Sequence, residues 1–93
     1  MNLLTITKTI HDVVVEHCTH DVRVFLFGST LMDFDEANDI DILIVGEVPE
    51  SVHLRLKISS LPFFLPIHVL IMSDSEESEL EFIKSVGGQL LSF

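Results

Sequence analysis

The chain has 93 residues, 47% of them hydrophobic, and its 15 acidic and 5 basic side chains give a formal charge of −10. A chain of this length buries about 60–65% of its unfolded surface. We therefore predict a single domain over residues 1–93 that associates with itself or with a protein partner, because one small core does not readily hide so much apolar surface. The acidic balance argues against direct nucleic-acid binding, which needs a basic face, and is compatible with a basic protein partner.

The lone cysteine and the N-terminus indicate where the protein works. Cys18 excludes an internal disulfide and fits a reducing compartment. The first residues lack the basic-then-apolar pattern of a signal peptide, and no apolar run approaches membrane-spanning length. We expect a cytoplasmic protein that does not enter a membrane.

Helical spacing of apolar residues marks the first element, which we predict as an amphipathic helix over residues 3–18. The β-branched run from Val13 to Val15 weakens this prediction, because such residues favour strands. Several possible zinc ligands lie near its second half, namely His11, His17, Cys18 and His20. Their spacings match no structural zinc pattern, so we interpret them as a solvated helix end.

Two apolar strands follow, over residues 23–27 and 40–45, joined by a short helix and an acidic loop. Asp39 and Asp41 flank Ile40 at the start of the second strand, and strand alternation points both carboxylates to the same side. Two carboxylates on one face of an apolar strand lose hydration and repel each other unless a cation lies between them. A hard divalent ion with oxygen ligands, such as Mg²⁺, is the simplest solution.

Gly28-Ser29 ends the first strand and supplies a second feature. A glycine lets backbone N–H groups approach an anion closely, and a serine hydroxyl adds a donor. Metal-binding carboxylates beside a phosphate-binding turn indicate nucleotide chemistry. The alternative is an ordinary turn beside aspartates that only keep a strand end soluble.

This arrangement of Gly28-Ser29, nine residues, and then Asp39-Ile40-Asp41 resembles the signature of the polymerase-beta-like nucleotidyltransferase superfamily. Within it, the chain is similar to the minimal nucleotidyltransferases, small prokaryotic proteins often paired with a helical HEPN partner in toxin–antitoxin modules. The resemblance implies that Asp39 and Asp41 hold Mg²⁺ or Mn²⁺ and act in catalysis. It also implies that Gly28 and Ser29 bind an NTP, with ATP expected. The chain departs from the family where an Arg-Gly pair often follows the serine, because Thr30 to Asp35 contains no basic residue.

The second half of the chain completes an alternation of helices and strands. We predict a helix over residues 50–60, although alternation from 52 to 58 also suits a strand, and we interpret Arg55 and Lys57 as a solvated face that could instead meet phosphate or a partner. Residues 67–72 read as a strand covered on both faces. Ser73 and Glu76 predict the start of a helix with Leu80, Ile83 and Val86 buried, ended by Gly87-Gly88 and followed by a short strand or tail over residues 89–93.

These elements predict a small two-layer α/β fold with a mixed sheet of three to four strands and helices packed on it, as the family resemblance also implies. The resemblance further places a third carboxylate on the strand at 67–72, where this chain has His68. An imidazole could act as a base near neutral pH but is a poorer Mg²⁺ ligand than a carboxylate. A buried histidine hydrogen-bonded into the sheet is the alternative, and Asp74 is an unconvincing substitute.

Two functional hypotheses follow. The first is an Mg²⁺-dependent nucleotidyltransferase that moves an NMP from an NTP to a hydroxyl of a partner protein, as the antitoxin of a pair with a HEPN-like toxin. The second is a binding module of the same fold that has lost efficient chemistry and acts by docking. The motif at Gly28, Ser29, Asp39 and Asp41 favours the first hypothesis. The missing arginine after Ser29, the histidine at position 68 and the small number of basic residues favour the second.

Overall fold

Two apolar strands form the centre of a four-stranded mixed sheet in the computed structural model, which describes residues 2–18 and 21–92. The elements in chain order are α1 (Leu3–His17), β1 (Arg23–Phe27), α2 (Ser29–Met32), a 3₁₀ turn (Phe34–Glu36), β2 (Ile40–Val45), α3 (Ser51–Ser59), β3 (Ile67–Met72), α4 (Asp74–Leu80), α5 (Phe82–Val86) and β4 (Gln89–Leu90). These bounds agree closely with those predicted from the sequence. None of the helices among the described residues has both the length and the apolar character needed to cross a membrane.

The strand order is β3-β2-β1-β4. β1 pairs antiparallel with both β2 and β4, whereas β2 pairs parallel with β3. The parallel pair is joined through α3, because a parallel connection has to cross back over the sheet. The predicted mixed sheet with helices packed on it is therefore confirmed.

The main core lies between one face of the sheet and helices α1 and α3. Its fully or nearly fully buried members are Ile6, Ile10 and Val14 of α1, Val24 and Leu26 of β1, Ile40, Ile42 and Ile44 of β2, and Leu54 and Ile58 of α3. The alternation in residues 52–58 does not produce a strand. Leu54 and Ile58, four residues apart, are buried together while Val52 and Leu56 are exposed, which is a helical pattern.

The opposite face of the sheet carries a smaller core of Phe25, Leu43, Val45 and Met72, packed against Phe27, Phe82 and Ile83. Since α4 and α5 are short, this face is less completely covered than the first.

The prediction that residues 67–72 are covered on both faces is wrong. β3 is an edge strand whose residues alternate between half-buried and exposed, and only Met72 at its end is buried. Its continuous apolar run has a different origin. Ile67, Val69 and Ile71 pack on the main core, while Leu70 remains on the thinly covered face.

The predicted buried stripe of the last helix is also wrong in part. The helix begins with the expected capping box, in which the Ser73 hydroxyl accepts a hydrogen bond from the N–H of Glu76 and the Glu76 carboxylate accepts one from the N–H of Ser73. It is interrupted at Glu81, whose backbone is left-handed with φ 50°. The interruption leaves Leu80 62% exposed, while Ile83 packs on the smaller core. Phe93, the last residue of the predicted final segment, lies outside the described residues.

Replacing Ile42 by alanine tests the central position of β2. Ile42 is fully buried in the main core, so we expect Ile42→Ala to lower the free energy of unfolding by about 2–5 kcal/mol. Leu80→Ala is the matched control, and we expect a loss within about 0.5 kcal/mol because this side chain is exposed. Urea denaturation would measure both; similar losses in the two variants would contradict the assigned burial.

Candidate functional site

A row of side chains crosses three strands on the thinly covered face of the sheet. Asp41 of β2 lies opposite Phe27 of β1 and opposite His68 of β3. Residues opposite each other on neighbouring strands project to the same face, so the three side chains are neighbours. The His68 side chain is 64% exposed, which excludes the alternative of a histidine buried in the sheet.

Asp39 completes a cluster with two members of this row. It lies immediately before β2, where the N–H of Ile40 donates to the carbonyl oxygen of Pro66 at 2.9 Å and fixes the start of the strand. Its Oδ2 is 3.6 Å from Nε2 of His68. One ligand atom from each of Asp39, Asp41 and His68 lies within 4.8 Å of the others. The structure thus brings the three predicted catalytic residues together.

Gly28 lies against the carboxylate of Asp41. Its backbone has φ +82°, a conformation that strongly favours glycine. A Cβ atom at this position would also collide with Oδ2 of Asp41. The glycine therefore allows both the turn after β1 and the close approach of backbone to carboxylate.

Ser29 follows as the first residue of α2. Among the residues that the structure describes, none forms a hydrogen bond with its hydroxyl, which leaves that group available to a ligand. The acidic segment beyond it is turned on itself, since the N–H of Asp35 donates to Oδ1 of Asp33 at 3.1 Å. Asp33 and Asp35 are both exposed to solvent.

The electrostatics of the cluster show which charge is costly. Partial burial raises the pKa of Asp41 above its ordinary value, the nearby Asp39 carboxylate raises that pKa further, and His68 acts in the opposite direction. Asp39 is about one-third exposed and still in contact with water. A cation between the two carboxylates would offset both the lost hydration and the repulsion.

Three basic side chains contact groups other than the carboxylates of Asp39 and Asp41. The guanidinium of Arg55 donates to the carbonyl oxygen of Val69, Lys57 contacts Nδ1 of His17 at 3.3 Å, and Arg23 pairs with Asp74 at 3.4 Å. Arg55 and Lys57 therefore belong to an exposed helix face with local contacts, as interpreted from the sequence. Asp74 is committed to the start of α4 and to Arg23, away from the carboxylate pair.

The structure describes two of the three histidines near the end of α1. His17 contacts the carbonyl oxygen of Pro49 through Nε2 at 2.6 Å, which ties α1 to the start of α3. His11 lies beside Asp12, and His20 lies outside the described residues. Within residues 2–18 and 21–92, Asp39, Asp41 and His68 form the one group of three side chains suited to a metal ion.

Phe27 is a neighbour of the site that was not predicted from the sequence. Its ring packs edge-on against Phe82 of α5, with 5.4 Å between ring centroids. Only the register between β1 and β2 places it opposite Asp41, and the sequence pattern does not reveal that register.

Comparison with known proteins decides the family. The family model described as the nucleotidyltransferase domain matches residues 6–91, nearly the whole chain. The chain belongs to the nucleotidyltransferase domain family. No curated protein is similar enough in sequence to count as a relative.

Two solved structures share the fold of this nucleotidyltransferase domain. The first, a candidate nucleotidyltransferase, is 20% identical with a TM-score of 0.59 over 92% of this chain and 97% of its own. The second, a candidate nucleotidyltransferase from Sulfolobus solfataricus, is 24% identical with a TM-score of 0.59 over 95% of this chain and 78% of its own. At these identities the likeness shows the fold alone.

The family implies a divalent metal ion and a nucleoside triphosphate. The donor set fits a divalent cation, because two carboxylates and one imidazole converge and the surroundings of Asp41 disfavour its ionised form. Asp39, Asp41 and His68 would hold the ion.

Asp41→Asn should stabilise the metal-free protein at neutral pH. The folded-state pKa of Asp41 is raised, so its ionised form lowers the free energy of unfolding, and an amide removes that cost. We expect a melting temperature a few degrees higher in chelator-treated buffer. The gain should shrink as the pH falls through the raised pKa, because the wild-type carboxyl then becomes neutral.

The control for this measurement is Asp21→Asn, which removes one negative charge from an exposed position. An equal gain in both variants would show that net charge, and not the local environment of Asp41, causes the effect.

Gly28→Ala should disrupt the site. The new Cβ would be strained at this backbone angle and would collide with the Asp41 carboxylate, so we expect a loss of about 1–3 kcal/mol in the free energy of unfolding. A divalent ion that binds only the folded wild type should raise its melting temperature, and we expect Gly28→Ala to lose this rise. Gly87→Ala is the matched control, because Gly87 has φ +65° but no heavy atom lies within 4 Å of the place that its Cβ would take. If Gly87→Ala lost the metal effect as well, the contact with Asp41 would not be its cause.

Proposed function

We propose that this nucleotidyltransferase domain moves an NMP from an NTP, with ATP as the expected donor, to a hydroxyl of a partner protein, with Mg²⁺ or Mn²⁺ required. The observation that carries the proposal is the convergence of Asp39, Asp41 and His68 beside the Gly28-Ser29 turn. In this role the protein would be the antitoxin of a pair with a HEPN-like toxin.

The residues of the chain divide the task. Gly28 and Ser29 bind phosphate oxygens through backbone N–H groups and the available hydroxyl. Asp39 and Asp41 act as carboxylate ligands at the start of β2. A divalent ion bound there would withdraw charge from the phosphates and orient them.

The transfer itself forms one bond and breaks one. The acceptor oxygen bonds to the α-phosphorus, the bond from this phosphorus to the bridging oxygen of the β-phosphate breaks, and pyrophosphate leaves. The hydroxyl proton passes to water, to which the exposed side of the site is open.

An open site supports a macromolecular acceptor. The three side chains of the site lie on a sheet face that is open to solvent. They do not line the groove of about 410 Å³ between α1, α2 and β4, so the site is not enclosed by it. A protein hydroxyl on a projecting segment can reach such a surface. The charge of −10 favours a basic partner, and the pairing with a HEPN-like toxin rests on the family resemblance stated for the motif.

The test is transfer of label from α-labelled ATP to a candidate partner in Mg²⁺. We expect slow transfer by the wild type, because one carboxylate of the family pattern is replaced. His68→Asp should increase the rate by roughly 10- to 100-fold, since a carboxylate is the better ligand for Mg²⁺.

Asp41→Asn serves as the inactive control in the same assay. If His68→Asp remains inert with a partner present although ATP binds, the enzymatic proposal fails. Docking without chemistry would then be the better account of the protein.

A further inference from the structure

We infer that the site formed by Asp39, Asp41 and His68 selects a divalent first-row transition ion, of the class of Mn²⁺ and Co²⁺, over Mg²⁺. This inference rests on the proposed function, because it concerns the ion of the same site. It goes beyond that function by assigning a role to His68 as a metal ligand that sets ion preference.

The position of His68 favours a ligand role over a structural one. Its Nε2 is 3.6 Å from Oδ2 of Asp39, longer than a good hydrogen bond between these groups. Two ligand atoms that share one ion lie about 3–4.2 Å apart when each bond is about 2.1 Å. The spacing between imidazole nitrogen and carboxylate oxygen falls within that range.

The sheet holds this spacing. Asp41 and His68 are register partners on parallel strands, and the neighbouring pairs Ile40–Ile67 and Ile42–Val69 lock the two strands together. Ile40 and Ile42 are fully buried, so β2 cannot shift without disturbing the main core. The imidazole is therefore presented beside both carboxylates by rigid backbone and not by a loop.

The imidazole nitrogen of His68 is the feature that would set the preference between metal ions. Mg²⁺ demands near-ideal octahedral geometry, prefers oxygen and gives up its waters reluctantly. A neutral imidazole offers it no negative charge and a ligand atom that it binds weakly. Mn²⁺ and Co²⁺ accept nitrogen and oxygen together, with Co²⁺ the stronger in the general order of affinities. A third carboxylate in place of His68 would reduce this discrimination.

The measurement is the ratio of dissociation constants, Mg²⁺ over Mn²⁺ and Mg²⁺ over Co²⁺, for the full chain with the metal ions alone. Calorimetric titration gives the constants, and metal-induced shifts in melting temperature check them independently. Because most mixed sites favour transition ions over Mg²⁺ to some degree, the informative quantity is the change in this ratio between wild type and His68→Asp.

We expect His68→Asp to lower both ratios by about 10-fold, chiefly by tightening Mg²⁺ binding. His68→Ala should weaken Mn²⁺ and Co²⁺ binding more than Mg²⁺ binding. The matched control is His53→Asp, which makes the same substitution at an exposed position on α3 and should leave the ratios unchanged. Bound Co²⁺ should also show a visible spectrum that changes in His68→Ala and not in His53→Asp.

Ratios that are equal in wild type and His68→Asp, with metal still bound, would overturn the inference while leaving the proposed function intact. If neither protein binds any of these ions and Asp41→Asn changes nothing, both the inference and the proposed function fail. A shifted ratio without label transfer in any variant would support the inference and count against the enzymatic proposal alone.

Discussion

The carboxylate of Asp41 lies on the central strand β2, where its surroundings on balance disfavour the ionised form. It lies on β2, between a hydrophobic neighbour on β1 and an imidazole on β3, and both burial and Asp39 raise its pKa. The strand cannot move to relieve this cost, because its alternate residues fill the main core. Neighbouring parts of the structure make room for the carboxylate instead. Gly28 lacks the Cβ that would collide with the carboxylate, and the face above the site stays open to a cation from solvent.

The two faces of the sheet divide stability from function. On one face, α1 and α3 bury isoleucines, valines and leucines from three strands, and this layer determines which way every β2 side chain points. On the other face, α5 covers the centre through Phe82 and Ile83, while His68 and Leu70 remain exposed. A site formed on the second face can therefore contain partly desolvated, mutually repelling carboxylates without disturbing the packing of the main core. Its geometry is nevertheless fixed by that core through strand alternation.

The strands and the carboxylate pair could be predicted because local pattern determines them. The apolar runs ending at Gly28 and beginning after Asp39 give β1 and β2, and alternation alone places both aspartates on one side. What could not be predicted depends on tertiary neighbours. The run from Ile67 to Met72 does not show that β3 is an edge strand, and the spacing of Leu80 does not show a left-handed residue at Glu81. The proximity of Phe27 to Asp41 depends on a register that no local pattern specifies. The proximity of His68 to Asp41 could be expected only from the family resemblance, because a local pattern does not set the register between β2 and β3 either.

His68 connects the electrostatic cost of the site with the chemistry of its possible ligands. Its side chain is mostly exposed on an edge strand, so packing does not dictate its size. A carboxylate there would place three like charges within a few ångströms and would raise the pKa of Asp41 still further. The imidazole instead acts to lower that pKa, which makes the metal-free fold less costly. Compared with a carboxylate, the imidazole removes one negative charge from the ligand set and adds a nitrogen. These changes would lower the affinity for Mg²⁺ more than the affinity for a transition ion. His68 thus offsets part of the cost of the charged carboxylates in the empty site, and as a metal ligand it would also set the ion preference.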